Sequence, residues 1–213
     1  MTKIILVRHG YSVANKGNLF AGHTDVELSD IGYKQAELVS DYILANYKVD
    51  AVYTSDLQRA SNTVKRVADS LNLPLQKTTA FREIFAGEWE TLPFDEIAVK
   101  FPDKYAIWIT NTGLARCPGG ENMFELQERA FNKMLEIAKT HEGQTVVIGT
   151  HAGVIRALQC AVEKVTLESM KDITWVPNAS ISLLKFENGE FTPEFWGYND
   201  YLEELKTKIP TRI

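Results

Sequence analysis

The sequence has few cysteines, and their spacing excludes the sites that cysteines usually build. Only two of the 213 residues are cysteine, Cys117 and Cys160, and neither lies in a C-x-x-C motif. Zinc knuckles and thiol oxidoreductases both need such closely spaced partners. The first apolar run, residues 4–7, is too short for the core of a signal peptide or for a membrane span. We therefore expect a cytoplasmic protein with two reduced thiols and no membrane contact.

Clusters of positive charge are absent as well. The formal net charge is -5, and no segment is rich in lysine and arginine. Proteins that wrap a nucleic-acid backbone need a basic surface, so nucleic acid is not an expected partner. Hydrophobic residues at 45% and charged residues at 24% are typical of a globular protein, and we predict a single domain over residues 1–213.

The order of apolar segments predicts an α/β fold. Continuous aliphatic runs over residues 4–7 and 145–149 suit strands that are buried on both faces of a parallel sheet. Helical spacing of apolar residues predicts a helix from Ser29 to about Asn46. The other predicted elements are a strand over 49–54, a helix from about 56 to 71, a short strand near 75, a helix from 122 to about 143, a helix over 154–162, and a hairpin of strands 180–186 and 191–197. This alternation predicts a three-layer α/β/α sandwich with a mostly parallel central sheet.

One segment lacks a regular spacing of apolar residues, and the tail has two open interpretations. Residues from about 84 to 117 are rich in aromatic and acidic residues, and we interpret them as an irregular insertion of loops and helices. The aromatic side chains there, Phe85, Trp89 and Trp108, either line a substrate entrance or pack the insertion onto the domain. The tail over residues 198–213 suits a short amphipathic helix that either covers a pocket or packs on the protein.

Two histidines, His9 and His151, each follow one of the two aliphatic runs directly. Ligands bind at the carboxyl ends of strands in open α/β sheets, so these two side chains can meet there. Arg8 precedes the first histidine, and Arg59 falls in the first turn of a predicted helix. A lone histidine in such a place is more often a satisfied polar residue. Guanidinium groups and helix N-termini bind phosphate oxygens, however, so the combination favours an anion site.

Short motifs surround these residues and continue along the chain. In order they are Leu6-Val7-Arg8-His9-Gly10 with Ser12 and Asn15, Gly22-His23-Thr24-Asp25, Leu28-Ser29-Asp30-Ile31-Gly32, Tyr53-Thr54-Ser55-Asp56-Leu57-Gln58-Arg59-Ala60, Arg82-Glu83, Gly87-Glu88-Trp89-Glu90, Pro118-Gly119-Gly120-Glu121 and Gly149-Thr150-His151-Ala152-Gly153-Val154-Ile155-Arg156. Together they resemble the histidine phosphatases and the cofactor-dependent phosphoglycerate mutases over nearly the whole chain. Any one motif is weak, whereas their joint occurrence in the family's order is specific.

The resemblance implies a role for each residue of the anion site. His9 is the expected nucleophile, and Arg8, Arg59 and His151 are expected to hold the phosphate. Glu83 is expected to protonate the departing oxygen and then to act as a base towards water. These roles make chemical sense, because a neutral imidazole can attack phosphorus while cations offset the charge on the phosphate oxygens. No metal ion and no cofactor is needed for this chemistry.

Other positions match the family but have two interpretations or depart from its pattern. Binding positions of the family fall on Asn15, Thr24 and Ala152, although Asn15 and Thr24 equally suit a turn or a helix cap. Ala152 stands where the family commonly has glycine, Thr91 where its phosphatases often have glycine, and Tyr11 where it often has glutamate or glutamine. A phenol beside the nucleophile is expected to reshape the alcohol subsite or to offer a stacking surface.

The remaining histidines have weaker cases. His23 lies inside a family motif but not at a catalytic position, and His141 near a helix end is expected to be solvated. A metallohydrolase that uses His9, His23 and His151 would be an alternative, but no local metal-ligand motif supports it.

The branch of the family is indicated by two segments. Residues 87–90 and 152–156 resemble the phosphatases rather than the mutases. We therefore predict a metal-independent phosphatase that acts on a small phosphorylated metabolite, as a monomer or homodimer. Possible substrates include alpha-ribazole phosphate and sugar phosphates. The alternatives are a 2,3-bisphosphoglycerate-dependent phosphoglycerate mutase and a non-catalytic protein that binds phosphorylated ligands.

Overall fold

A six-stranded sheet forms the centre of the computed structural model, which describes residues 1–207. The strands are β1 (Thr2–Arg8), β2 (Ala51–Ser55), β3 (Leu75–Thr78), β4 (Thr145–Thr150), β5 (Ile181–Glu187) and β6 (Glu190–Tyr198). Their order across the sheet is β3-β2-β4-β1-β5-β6. Strands β1 to β4 are parallel, whereas β5 is antiparallel to both β1 and β6. The predicted α/β fold with a mostly parallel central sheet is confirmed.

Helices cover both faces of this sheet. They are α1 (Val13–Lys16), α2 (Asp30–Asn46), α3 (Gln58–Ser70), α4 (Phe94–Lys100), α5 (Pro102–Thr110), α6 (Met123–Thr140) and α7 (Ala152–Val162). Helices α2 and α3 pack on one face, and α6 and α7 on the other, which gives the three layers. Asn122 and Glu125 form a capping box at the start of α6. Within residues 1–207, no helix has the length and apolar composition that crossing a membrane requires.

The central strand β1 explains why its aliphatic run is continuous. Ile4 and Leu6 belong to the core under α6 and α7, whereas Ile5 and Val7 belong to the core under α2 and α3. All four side chains are fully buried, because successive side chains of a strand point to opposite faces and both faces are covered. Each contributes about 1.5–3 kcal/mol relative to an exposed position.

The segment interpreted as an insertion holds the two short helices α4 and α5. They span only seven and nine residues, which is too short for an apolar period to be recognised in the sequence. Trp89 and Trp108 are buried, and their rings meet edge to face with centroids 5.8 Å apart. Phe20 packs on both. These aromatics therefore attach the segment to the core, and Trp108 also reaches the cavity described below.

The last described elements are the predicted hairpin and part of the tail. Asn188 and Gly189 join β5 to β6 with φ of 54° and 85°, the backbone of a type I′ turn, so the hairpin is confirmed. A short 3-10 helix (Asp200–Leu205) then packs against α2, where Tyr201 stacks on Tyr42 with ring centroids 4.5 Å apart. The remainder of the predicted tail, residues 208–213, lies outside the described residues.

Candidate active site

The two predicted histidines meet at the carboxyl edge of the sheet. Strands β1 and β4 are paired neighbours with Arg8 opposite Thr150, so the residues that follow them leave the sheet side by side. The His9 N–H donates to the Thr150 carbonyl at 2.9 Å. The His9 and His151 rings lie with centroids 5.2 Å apart. Strand pairing therefore creates this constellation from residues 142 positions apart in the sequence.

Two buried arginines add positive charge beside the histidines. Arg8 ends β1 and donates to the Val176 carbonyl at 2.5 Å. Arg59 lies in the first turn of α3 and donates to the carbonyls of Gly22 at 2.7 Å and Thr24 at 2.9 Å. Burial lowers the pKa of each guanidinium to about 10, so both stay charged at neutral pH. Within residues 1–207 neither has a carboxylate in ion-pair contact, so their charge is available to a bound anion.

Both histidines are held neutral. Burial lowers the pKa of His9 and of His151 well below the ordinary value, and the charge of Arg59 lowers both further. The Nδ1 of His9 lies 2.7 Å from the Gly10 carbonyl, which assigns the proton to Nδ1. Its Nε2 therefore carries the free lone pair that an attacking imidazole needs. In the described part of the chain, the two ring nitrogens of His151 have no protein partner.

Glu83 lies at the cavity wall, carried by the segment that follows β3. Its carboxyl oxygens accept hydrogen bonds from the N–H of Ile84 at 3.0 Å and the N–H of Gly153 at 3.1 Å. The second donor belongs to the first turn of α7, which begins directly after His151. The same helix start thus aligns the carboxyl group with the second histidine.

The three secondary positions have different environments. Asn15 and Ala152 line the cavity, together with Ser12. Thr24 does not contribute to the lining formed by the described residues: its hydroxyl donates to the Glu90 carboxylate, and its carbonyl accepts from Arg59. The Thr24 hydroxyl is thus engaged within the turn, and a phosphate contact of Thr24 stays a prediction.

The effect of Tyr11 on specificity stays a prediction, whereas one expectation, that of a solvated His141, is corrected. Tyr11 does not belong to the cavity lining among the described residues. Its backbone is held by Gln35 and Ser29 instead. His141 is half-buried rather than solvated, since its ring nitrogens lie 3.0 Å from the Tyr53 hydroxyl and 2.6 Å from the Gln144 side chain.

A clamp around Glu83 has no signal in the sequence. Arg129 on α6 donates from all of its nitrogens: to the carbonyls of Ala80, Arg82 and Glu83 at 2.7–2.8 Å, and to both carboxylate oxygens of Glu121 at 2.8 and 2.9 Å. The Glu83 carbonyl also lies 2.9 Å from Nε2 of His23. His23 thus contacts the backbone of Glu83.

Glu90 organises the loop that carries the carbonyl partners of Arg59. Its two carboxylate oxygens accept from the backbone N–H groups of His23, Thr24 and Ala86 at 2.7–3.0 Å, as well as from the Thr24 hydroxyl. Only its place in a family motif distinguished this residue in the sequence. The partners lie more than sixty positions away, apart from Ala86, so only folding reveals the role.

Apolar side chains make up much of the cavity lining. Six large apolar residues contribute to it, four of them aromatic: Leu19, Phe20, Ile84, Phe94, Trp108 and Trp175. Arg8 and Arg59 are the only arginines or lysines among the lining residues that the structure describes. Within residues 1–207, no group of three or more potential metal-ligating side chains is assembled. The site therefore combines cations that fit a phosphate with apolar side chains that fit an organic group.

Comparison with known families agrees with this geometry. A profile described as the histidine phosphatase superfamily, branch 1, matches residues 4–199.

The chain belongs to the histidine phosphatase superfamily.

Individual members of this superfamily are similar over most of their length. Phosphoserine phosphatase 1 of Hydrogenobacter thermophilus is 32% identical over 187 residues, which cover 88% of each chain. Phosphoglycerate mutase-like protein 4 of Arabidopsis thaliana is 31% identical over 205 residues, covering 95% of this chain and 87% of that one. The solved structure of Bacillus stearothermophilus YhfR superimposes with a TM-score of 0.91 at 27% identity, covering 95% of this chain and 100% of that one.

One departure from the superfamily pattern has a structural reason. Thr91 replaces a frequent glycine and adopts a φ of 65°, in the left-handed region that glycine enters without steric cost. Its N–H donates to the Phe20 carbonyl at 2.8 Å, which fixes this conformation. The turn at this position therefore favours glycine on backbone grounds.

The clamp around Glu83 leads to a prediction for Arg129→Lys. A lysine has three donors on one nitrogen and cannot reproduce the planar fork that joins Glu121 to three carbonyls. We expect kcat/KM for an alkyl phosphate to fall by about tenfold, because Glu83 loses its fixed position. Arg116→Lys is the matched control, since Arg116 pairs with Glu125 at the surface. Equal activity of the two variants would contradict the positioning role of Arg129.

The neutral histidines also predict how stability depends on pH. The unfolded chain takes up protons on His9 and His151 near pH 6.5, whereas the folded protein does not. The free energy of unfolding should therefore be highest above about pH 6.5 and fall below it, by up to about 1.4 kcal/mol per pH unit for each histidine. Urea unfolding at several pH values measures this slope. In His151→Gln the slope should be smaller, and an unchanged slope would show that His151 does not contribute.

Proposed function

We propose that the protein is a metal-independent phosphatase that hydrolyses small phosphomonoesters through a phosphohistidine on His9. The observation that carries the proposal is the buried His9 ring, which lies next to His151 and two buried arginines that have no carboxylate partner within residues 1–207, in a cavity that Glu83 also lines. A neutral nucleophile, fixed cations and a carboxyl group are the parts that phosphoryl transfer needs when no metal takes part.

The reaction proceeds in two steps, phosphoryl transfer to His9 and hydrolysis of the phosphohistidine. His9 Nε2 attacks phosphorus, the bond from phosphorus to the alcohol oxygen breaks, and the protonated Glu83 gives its proton to that oxygen. Water then attacks the phosphohistidine and loses a proton to the Glu83 carboxylate, and the bond from phosphorus to nitrogen breaks. Arg8, Arg59 and His151 stabilise the charge on the phosphate oxygens in both steps.

The apolar lining residues support a substrate whose alcohol part is small and largely uncharged. Apart from Arg8 and Arg59, the described lining has no lysine or arginine to replace the hydration of a carboxylate or a second phosphate. Because phosphoserine phosphatase 1 is a relative of this chain, phosphoserine is the substrate to compare with. We expect an aryl or other apolar phosphate to be hydrolysed with a higher kcat/KM than phosphoserine.

The experiment is a phosphate-release assay with EDTA present, over aryl phosphates, phosphoserine, 3-phosphoglycerate, sugar phosphates, nucleotides and alpha-ribazole phosphate. A parallel assay follows exchange between 3- and 2-phosphoglycerate. Release from one class supports the proposal and identifies the substrate class. Exchange that depends on 2,3-bisphosphoglycerate, without release, would assign a mutase instead. Binding of the same compounds without turnover would assign a non-catalytic binding protein.

The remaining proposals concern the cellular compartment, the domain organisation and the partners. Two unpaired thiols, Cys117 and Cys160, are consistent with a reducing cytoplasm. We propose one domain over residues 1–213, because a single sheet organises both cores of the described residues. A monomer or homodimer without nucleic-acid or membrane partners completes the proposal.

A further inference from the structure

Behind the phosphate end of the cavity lies a buried amide that the reaction scheme does not use. Asn178 belongs to the turn that precedes β5 and is 3% exposed. Its Nδ2 donates to the His9 carbonyl at 3.1 Å and to Oδ1 of Asn15 at 3.2 Å. Its Oδ1 accepts a longer hydrogen bond from the Thr207 hydroxyl at 3.4 Å. One side chain therefore contacts both the nucleophile's backbone and a residue of the cavity wall.

The hydrogen bonds to Asn15 fix which end of the Asn15 amide faces the cavity. Oδ1 of Asn15 accepts from the Ser12 N–H and the Ser12 hydroxyl, both at 3.1 Å, as well as from Asn178. If the amide were rotated by half a turn, its NH2 group would face the N–H of Ser12 and the NH2 of Asn178, which are both donors. The oxygen is therefore held away from the cavity, and the NH2 group is left to face an anion.

The contact with His9 fixes the backbone of the nucleophile. The His9 carbonyl accepts from Nδ2 of Asn178 and from the N–H of Ala179, each at 3.1 Å. The Arg8 N–H donates to the Ser180 carbonyl at 3.1 Å. Residues 178–180 thus hold the end of β1 where the two phosphate-site side chains emerge. Asn178 is the member of this group that also contacts Asn15, a residue of the cavity lining.

We propose that Asn178 is a positioning residue of the phosphate site, which orients the Asn15 amide as a donor to the substrate phosphate and fixes His9 for attack. The proposal rests on the proposed phosphatase function. A phosphate has only acceptor oxygens when fully ionised, so an amide oxygen in place of the NH2 group would repel it. Loss of Asn178 therefore weakens phosphate binding through Asn15 and slows attack through His9.

The test is a double-mutant cycle of Asn15→Ala and Asn178→Ala, read by the affinity for inorganic phosphate in calorimetry. Each single variant should bind phosphate about tenfold more weakly, and the double variant should lose little more than either one, because coupled residues are not additive. Losses that multiply in the double variant would show that Asn178 does not act through Asn15. Unchanged affinity in Asn178→Ala would overturn the proposal outright.

Two further variants keep the result interpretable. Thr207→Val removes only the longer hydrogen bond to the other atom of the same amide, and its phosphate affinity should stay within about twofold of the wild type. Asn178→Asp keeps the shape of the side chain and replaces the NH2 donor by an acceptor, so it should lose at least as much phosphate affinity as Asn178→Ala. If the alanine variant folds poorly, the aspartate variant provides the test in its place. If the wild type binds phosphate but hydrolyses no ester, the phosphatase proposal fails while this cycle can still be evaluated.

Discussion

Replacing His9 by alanine is expected to reduce ester hydrolysis by at least about a thousandfold, because no other described side chain occupies the attacking position. His9 carries its proton on Nδ1, against the Gly10 carbonyl, and burial among charged arginines keeps the ring neutral. His151 lies beside it, with ring centroids 5.2 Å apart, but follows β4 rather than β1. Loss of the attacking nitrogen should abolish the phosphoenzyme as well as turnover.

The measurement is a rapid-quench experiment with a radiolabelled phosphoester. The wild type should show an acid-labile, base-stable phosphoenzyme within one turnover, and His9→Ala should show none. His141→Ala is the matched control, because its ring contacts Tyr53 and Gln144 rather than the cavity. Undiminished phosphoenzyme in a pure His9→Ala preparation would place the nucleophile elsewhere.

The second large effect is expected for Glu83→Gln, and it should depend on the leaving group. An alkoxide needs a proton as its bond to phosphorus breaks, whereas a nitrophenolate leaves without one. We expect phosphoenzyme formation to slow by about a hundredfold or more with an alkyl phosphate and by less than about tenfold with a nitrophenyl phosphate. Single-turnover rates must be compared, because Glu83 also assists the later attack by water.

Two matched variants separate the acid role from general damage. Gly153→Ala keeps the carboxyl group but would place a new Cβ only 2.4 Å from the Oε1 of Glu83, so the carboxyl must move. It should show the same leaving-group dependence with a smaller loss. Glu88→Gln, at an exposed position of the same segment, should behave as the wild type. Equal losses with both leaving groups in Glu83→Gln would argue against proton donation.

Much of the fold followed from local patterns. The aliphatic runs of β1 and β4 predicted buried parallel strands, because only strands covered on both faces have no polar alternation. The type I′ turn at Asn188 and Gly189 was equally predictable, since few residues adopt positive φ at both positions. Helices α4 and α5 were not assigned individually, because their short apolar patterns depend on packing around Trp89 and Trp108 rather than on a repeat.

The sequence by itself determined that His9, Arg8 and His151 would leave the sheet at one edge, because the direction of parallel strands fixes where their ends lie. Only the tertiary structure decided which polar groups remain available there. In the folded protein the Thr24 hydroxyl donates to Glu90, and Oδ1 of Asn15 accepts from Asn178. Hydrogen-bond partners are chosen by distances of about 3 Å between residues far apart in the chain, and no spacing within a motif records those distances.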